Sequence, residues 1–206
     1  MCVARFILVM LLLSFSCTVF SQGMIEYVNR QDRFSMYGPG EPEIQKVSYL
    51  SEYGVEFPAN VYTYEDGPIH YSLTVVDYTD AKRIHSERSN KTSADDGSLY
   101  WAVDVLASIA YAASNIRKRG GEITYDAWHY IQRVEGHQLQ ITNADQSRTY
   151  AGIYLHESLL YIAEATVPET APPPTFFQQS LTLLDDEGTE VHYNYIHSPR
   201  LRIGGG

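Results

Sequence analysis

Seven histidines and a few runs of carboxylates are the residues of this 206-residue chain with the means to do chemistry. His129, His137 and His156 stand at or near the ends of segments that read as strands. Turns can gather such residues around a zinc ion or beside a carboxylate. His192 and His197 are five apart, and on one strand an odd spacing puts them on opposite faces, so they do not share a metal unless the strand ends between them. Scattered positions are not a cluster, and surface or strand-end histidines account for all of them. No metal is expected. The acidic runs are Asp95-Asp96 and Asp185-Asp186-Glu187. A calcium loop needs oxygen ligands at alternating positions and a closing bidentate glutamate, which neither run has. Asp95-Asp96 suit the start of a helix, where the macrodipole favours negative charge.

Nucleophilic and cofactor chemistry find no foothold. The chain has no G-x-S-x-G elbow, no glycine loop opening a helix as a phosphate cradle would, and no H-E-x-x-H. Its two cysteines, Cys2 and Cys17, lie close to the start. No catalytic residue and no cofactor is assigned. Aromatics are the remaining candidates, with 17 tyrosines and two tryptophans. Most are explained by core and cross-strand packing, which strands favour. Trp101, and the run Trp128-His129-Tyr130, are the candidate binding residues, because Trp and Tyr are enriched where proteins meet partners. Asn90-Lys91-Thr92 matches a glycosylation sequon, which matters only in a eukaryotic secretory pathway.

The first residues read as a secretory signal. Arg5 precedes the apolar run Phe6 to Leu13, and Val19-Phe20-Ser21 suits a signal peptidase. Ser14, Ser16, Cys17 and Thr18 interrupt the run too early for a membrane anchor, which needs about 20 apolar residues. Lipidation at Cys17 is the rival, and Ser14 and Phe15 fit it poorly. The expectation is a leader over residues 1–21 and a periplasmic or secreted domain that keeps no cysteine and no membrane span. Such a domain is held by its core without disulfides. The formal charge of −10 becomes −11 when Arg5 leaves with the leader. That argues against nucleic acid, which needs a basic patch, and against anionic membrane surfaces.

The elements that must position these residues follow from periodicity. Residues 22–33 are polar and expected to be loosely held. A strand over 33–37 ends at the turn Gly38-Pro39-Gly40-Glu41-Pro42, and another follows over 46–50. Residues 61–64 and 70–76 form a hairpin, with Tyr71, Leu73 and Val75 on one face. Thr79-Asp80 caps a short helix. The clearest helix spans 98–118. Its apolar stripe reads as Leu99, Ala102, Val103, Leu106, Ile109, Ala110, Ala113 and Ile116, with Asp104, Ser108 and Asn115 opposite and Trp101 and Val105 off the stripe. Gly120-Gly121 ends it. Strands over 130–135, 138–142, 148–155 and 159–166 make an antiparallel meander joined at Gly136-His137, at 143–146 and at 156–158. After Pro172-Pro173-Pro174, Thr175 caps a helix over 176–184, and a last strand covers 190–196. The predicted class is α+β: one domain over 34–198, an antiparallel sheet with one long helix and shorter helices packed on it, and a disordered tail over 199–206.

Gly38-Pro39-Gly40-Glu41-Pro42, Tyr71-Ser72-Leu73-Thr74-Val75-Val76-Asp77-Tyr78, Val134-Glu135-Gly136-His137-Gln138-Leu139-Gln140-Ile141 and Phe176-Phe177-Gln178-Gln179-Ser180-Leu181 occur in this order. In this the chain resembles a group of uncharacterised exported proteins of Gram-negative bacteria. More remotely it is similar to the PsbP-like α/β/α sandwich. The resemblance carries no catalytic residues. It implies a non-enzymatic accessory or binding domain of the cell envelope, its partner an envelope protein or a small ligand. The alternative is a hydrolase with an unconventional His/carboxylate site.

Overall fold

A computed structural model describes residues 23–88, 99–196 and 198–202. The leader, the sequon, Asp95-Asp96 and His197 lie outside the described residues.

The fold is mixed α/β with two antiparallel sheets and three helices among the described residues. The larger sheet has seven strands: β3 (Glu43–Leu50), β4 (Glu56–Asp66), β5 (Ile69–Asp77), β6 (Glu122–Ile131), β7 (Val134–Thr142), β8 (Arg148–His156) and β9 (Leu159–Val167). Their order is β3-β4-β5-β9-β8-β7-β6. Two meanders therefore meet at the β5–β9 seam, where Leu73 opposes Ala163 and Val75 opposes Tyr161. Between them α1 (Ala81–Glu87) and α2 (Tyr100–Arg117) carry the chain over one face, from β5 to the far edge at β6. The smaller sheet joins β1 (Ile25–Asn29), β2 (Phe34–Gly38) and β10 (Thr182–Leu183) in the order β1-β2-β10.

Period-two alternation divides the core between the two faces of the large sheet. Phe57, Ala59, Val76, Leu139, Ile141, Ile153, Leu155 and Ile162 pack with Ala81 of α1 and with Val105, Ile109, Ala112, Ala113 and Ile116 of α2. On the other face Tyr62, Tyr64, Tyr71, Leu73, Val75, Tyr154 and Tyr161 pack with Phe34, Met36, Leu183 and the Phe177 of α3 (Thr175–Ser180). The second face is thus covered chiefly by a small sheet, where a second helical layer was expected.

The structure rotates the long helix from its expected phase. Val105 is fully buried, Asp104 and Ser108 are buried with it, and Trp101 packs partly buried against the same core. Leu99, Val103 and Leu106 are exposed. The helix is apolar nearly all round, so spacing alone left its rotation open. Polar partners from other elements, described below, let the Asp104 side turn inward.

Five further expectations are corrected. Residues 25–29 of the stretch expected to be loose form β1, and Asp32 and Arg33 are buried after it. The first meander strand begins at Glu122 and turns at Gln132-Arg133, both at positive φ (48° and 65°), not at Gly136-His137. The helix at Thr175 stops at Ser180, Pro174 takes the N-cap position, and Thr182-Leu183 turn into β10. Of the expected strand over 190–196 only the bridge from Leu184 to Glu190 and the Val191 N–H to Leu183 bond are present, while Tyr195 and Ile196 are exposed. In the expected disordered tail, the carbonyls of Pro199 and Arg200 accept from Glu157 and Ser158 N–H, and Leu201 packs on the core. The turn at 157–158 is shielded from water, so its N–H groups need protein acceptors, and the tail supplies them.

Candidate functional site

The edge strand β6 carries three of the four residues singled out by composition. Cross-strand pairing sets their faces: Trp128 opposes His137, His129 opposes Gly136 and Tyr130 opposes Glu135. Trp128 and Tyr130 therefore look to the face that carries α2, and His129 looks to the other. Trp128 is 60% exposed and Tyr130 43%. The run does not form one cluster. Trp101 stands apart, packed into the helical layer.

A charged group supports the indole from below. Asp126, on the Trp128 face, accepts from Arg117 Nε at 2.7 Å and from Arg117 Nη2 at 2.8 Å. His137 Nε2 meets the same carboxylate at 2.5 Å. The His137 ring then meets Trp128 edge to face, centroids 5.5 Å apart. Hydrogen bonds from Arg117, and less from His137, hold the Asp126 carboxyl down to about 2. This fork of guanidinium on carboxylate fixes the end of α2 to β6 and leaves Trp128 above it. Both carboxylate oxygens are occupied, and the arrangement braces the ring of His137 against the indole.

His129 and His156 have separate partners. His129 Nδ1 lies 3.0 Å from the Tyr154 hydroxyl, and burial lowers its pKa. His156 Nε2 lies 2.6 Å from the Tyr193 hydroxyl, and burial pushes its pKa down to about 4. Among the described residues no three His, Cys, Asp or Glu side chains converge as a metal site would require.

Two buried polar groupings went unnoticed in the sequence. In one, Arg33 Nη1 donates to Glu157 Oε2 at 2.6 Å and Nη2 to the Glu157 carbonyl at 3.0 Å, tying the β1–β2 turn to the β8–β9 turn. In the other, Ser51 Oγ donates to Asp104 Oδ2 at 2.6 Å and His85 Nε2 stands 2.9 Å from that same oxygen. A serine relay needs the imidazole between hydroxyl and carboxylate. Here both meet the carboxylate, and all three side chains are buried. The one signal for this group was the polar pair Asp104 and Ser108, one turn apart in an otherwise apolar helix.

The edge itself is unusual in what it lacks. The opposite edge, β3, has Pro42 just before it and Lys46 within it, devices that discourage strand pairing. β6 contains no Lys, Arg or Pro, and its one such device is the bulge between Ile123 and Tyr125, which leaves the run from Tyr125 to Ile131 regular. Ile123 and Tyr125 are exposed along with Trp128 and Tyr130. Among the described residues no strand pairs with its outer side. No helix among the described residues is long and apolar enough to cross a membrane.

No protein-family model matches the chain, and no curated protein matches it. Among solved structures it is similar to the solution structure of cyanobacterial PsbP (CyanoP) from Synechocystis sp. PCC 6803, with 14% identity over 83% of this chain and 98% of that chain, at a TM-score of 0.45.

Proposed function

We propose that the protein is a non-enzymatic binding domain, exported to the cell envelope, that docks a partner protein along the outer edge of β6. One observation carries this reading. A ten-residue edge strand without Lys, Arg or Pro presents Trp128 and Tyr130 on one face and leaves its outer row of backbone groups to be paired. A partner segment in extended form would add a strand there, with main-chain hydrogen bonds giving affinity and the aromatic pair giving specificity. Trp and Tyr are the side chains most often found to dominate binding energy. The Arg117–Asp126–His137 group holds the Trp128 platform rigid, which lowers the entropy lost on docking. Export rests on the leader read in residues 1–21.

Capture from an envelope extract tests the reading. Wild-type protein should retain a protein partner that Trp128→Ala and Tyr130→Ala lose, with circular dichroism and melting temperature unchanged. Equal recovery by wild type and both variants would reject β6 as the docking edge. Recovery of a small ligand in place of a protein would reject strand addition.

A further inference from the structure

A second set of buried polar atoms lies away from β6, where the β3–β4 turn, α1 and α2 meet. Asp104 is 1% exposed. Ser51 and His85 both engage its Oδ2, and its Oδ1 is buried with no partner. The hydroxyls of Ser108, Tyr49 and Tyr78 are buried without partners as well. These atoms belong to one neighbourhood. Ser108 follows Asp104 by one helical turn on the same face. Tyr111 continues that line, and its ring meets Tyr49 at 6.5 Å. Tyr78 packs on Phe57 at 4.4 Å, and Phe57 lies 6.0 Å from the His85 ring. Burial raises the pKa of both phenols, and the Asp104 charge adds to the rise in each.

Buried polar atoms in folded proteins are satisfied with few exceptions. Four unpartnered ones, one on a carboxylate and three on hydroxyls near it, point to an occupant. All four are oxygens, the donor type of a hard cation. Divalent ions collect several carboxylates or keep their waters, whereas this neighbourhood offers one carboxylate and neutral hydroxyls. We infer that the Asp104 group binds a monovalent cation, sodium or potassium, through Asp104 Oδ1 and the hydroxyl oxygens of Ser108, Tyr49 and Tyr78. The ion joins α2 to β3 and to the end of β5, and so acts as a tie between the helical layer and the sheet. The inference is independent of the β6 reading.

Thermal unfolding of the full chain decides it. Choline chloride is replaced stepwise by sodium or potassium chloride at constant ionic strength. The melting temperature should rise saturably, by about 3 °C at tenfold excess over the dissociation constant. Ser108→Ala and Tyr78→Phe each remove one oxygen and keep the packing. Each should abolish the rise or move its midpoint at least about fivefold higher in ion concentration, a difference of one ligand worth about 1 kcal/mol. Identical melting in all three salts would mean that no ion binds these oxygens, and would overturn the inference. An undiminished rise in both variants would place the ion elsewhere and overturn it too. So would saturation by calcium at far lower concentration than by sodium or potassium.

Discussion

Gly136 lies directly under the ring of Tyr154, its neighbour across the β7–β8 ladder. A Cβ at Gly136 would stand 2.1 Å from Tyr154 Cδ1 and 2.3 Å from the Ile153 carbonyl oxygen. The glycine sits within a strand, and its role is to let a buried tyrosine ring lie flat on the backbone. The Tyr154 hydroxyl then reaches His129 at 3.0 Å. Gly136→Ala should cost about 3 kcal/mol, since a backbone carbonyl cannot yield as a flexible side chain does. Urea denaturation measures it. A cost under about 0.5 kcal/mol would show that the ring moves aside freely.

The phase of α2 separates two substitutions. Ile109 is buried, so Ile109→Ala should cost about 2–5 kcal/mol through lost transfer energy and the cavity left behind. Leu106 is 41% exposed, so Leu106→Ala should cost about 1 kcal/mol or less. Equal costs in denaturant titration would mean that the helix is turned differently from the orientation described.

Acid should weaken the fold through His156. Burial lowers its pKa to about 4 in the folded protein, against about 6.5 in the unfolded chain. Between those values the unfolded chain binds a proton that the folded one does not. Stability from this group is therefore full above pH 6.5 and falls as pH drops toward 4, by on the order of 3 kcal/mol. His129, lowered by burial in the same direction, adds slope of the same sign. His156→Gln should flatten most of the loss in unfolding free energy measured from pH 7 to pH 4. An unchanged slope in that variant would assign the loss to other groups.

Arg33 joins the two sheets from a left-handed backbone position, φ 52°. Its side chain is buried against Glu157, with Asp186 Oδ1 at 3.6 Å. Arg33→Met should cost about 3 kcal/mol, because it leaves the half-buried Glu157 without its partner. Arg33→Lys should not restore stability, since a single ammonium cannot hold the Glu157 carboxylate and carbonyl together in the fork geometry. Chemical denaturation of the two variants checks both statements, and full rescue by lysine would reduce the contact to simple charge.

Local pattern carried much of the architecture. Tyr71, Leu73 and Val75 announced one buried face of β5 by their alternation. The turn at 38–42 followed from Gly and Pro, and most of the second meander from its period of two. The existence of α2 followed from its apolar spacing and from Gly120-Gly121 at its end. These signals are local because backbone geometry imposes the period within a few residues. Tertiary structure decided what local period cannot reach. The rotation of α2 depended on Ser51 and His85, which lie far from Asp104 in the chain and make its burial tolerable. The tight turns at 132–133 and 157–158 use residues other than glycine at positive φ, while the glycine at 136 serves a ring packed on it from β8. Residues 25–29 and 199–202 looked unstructured because their order comes from pairing with β2 and with the β8–β9 turn. The exposure of Trp128 follows from β6 being the last strand of the sheet, a fact of strand order that no stretch of residues contains on its own.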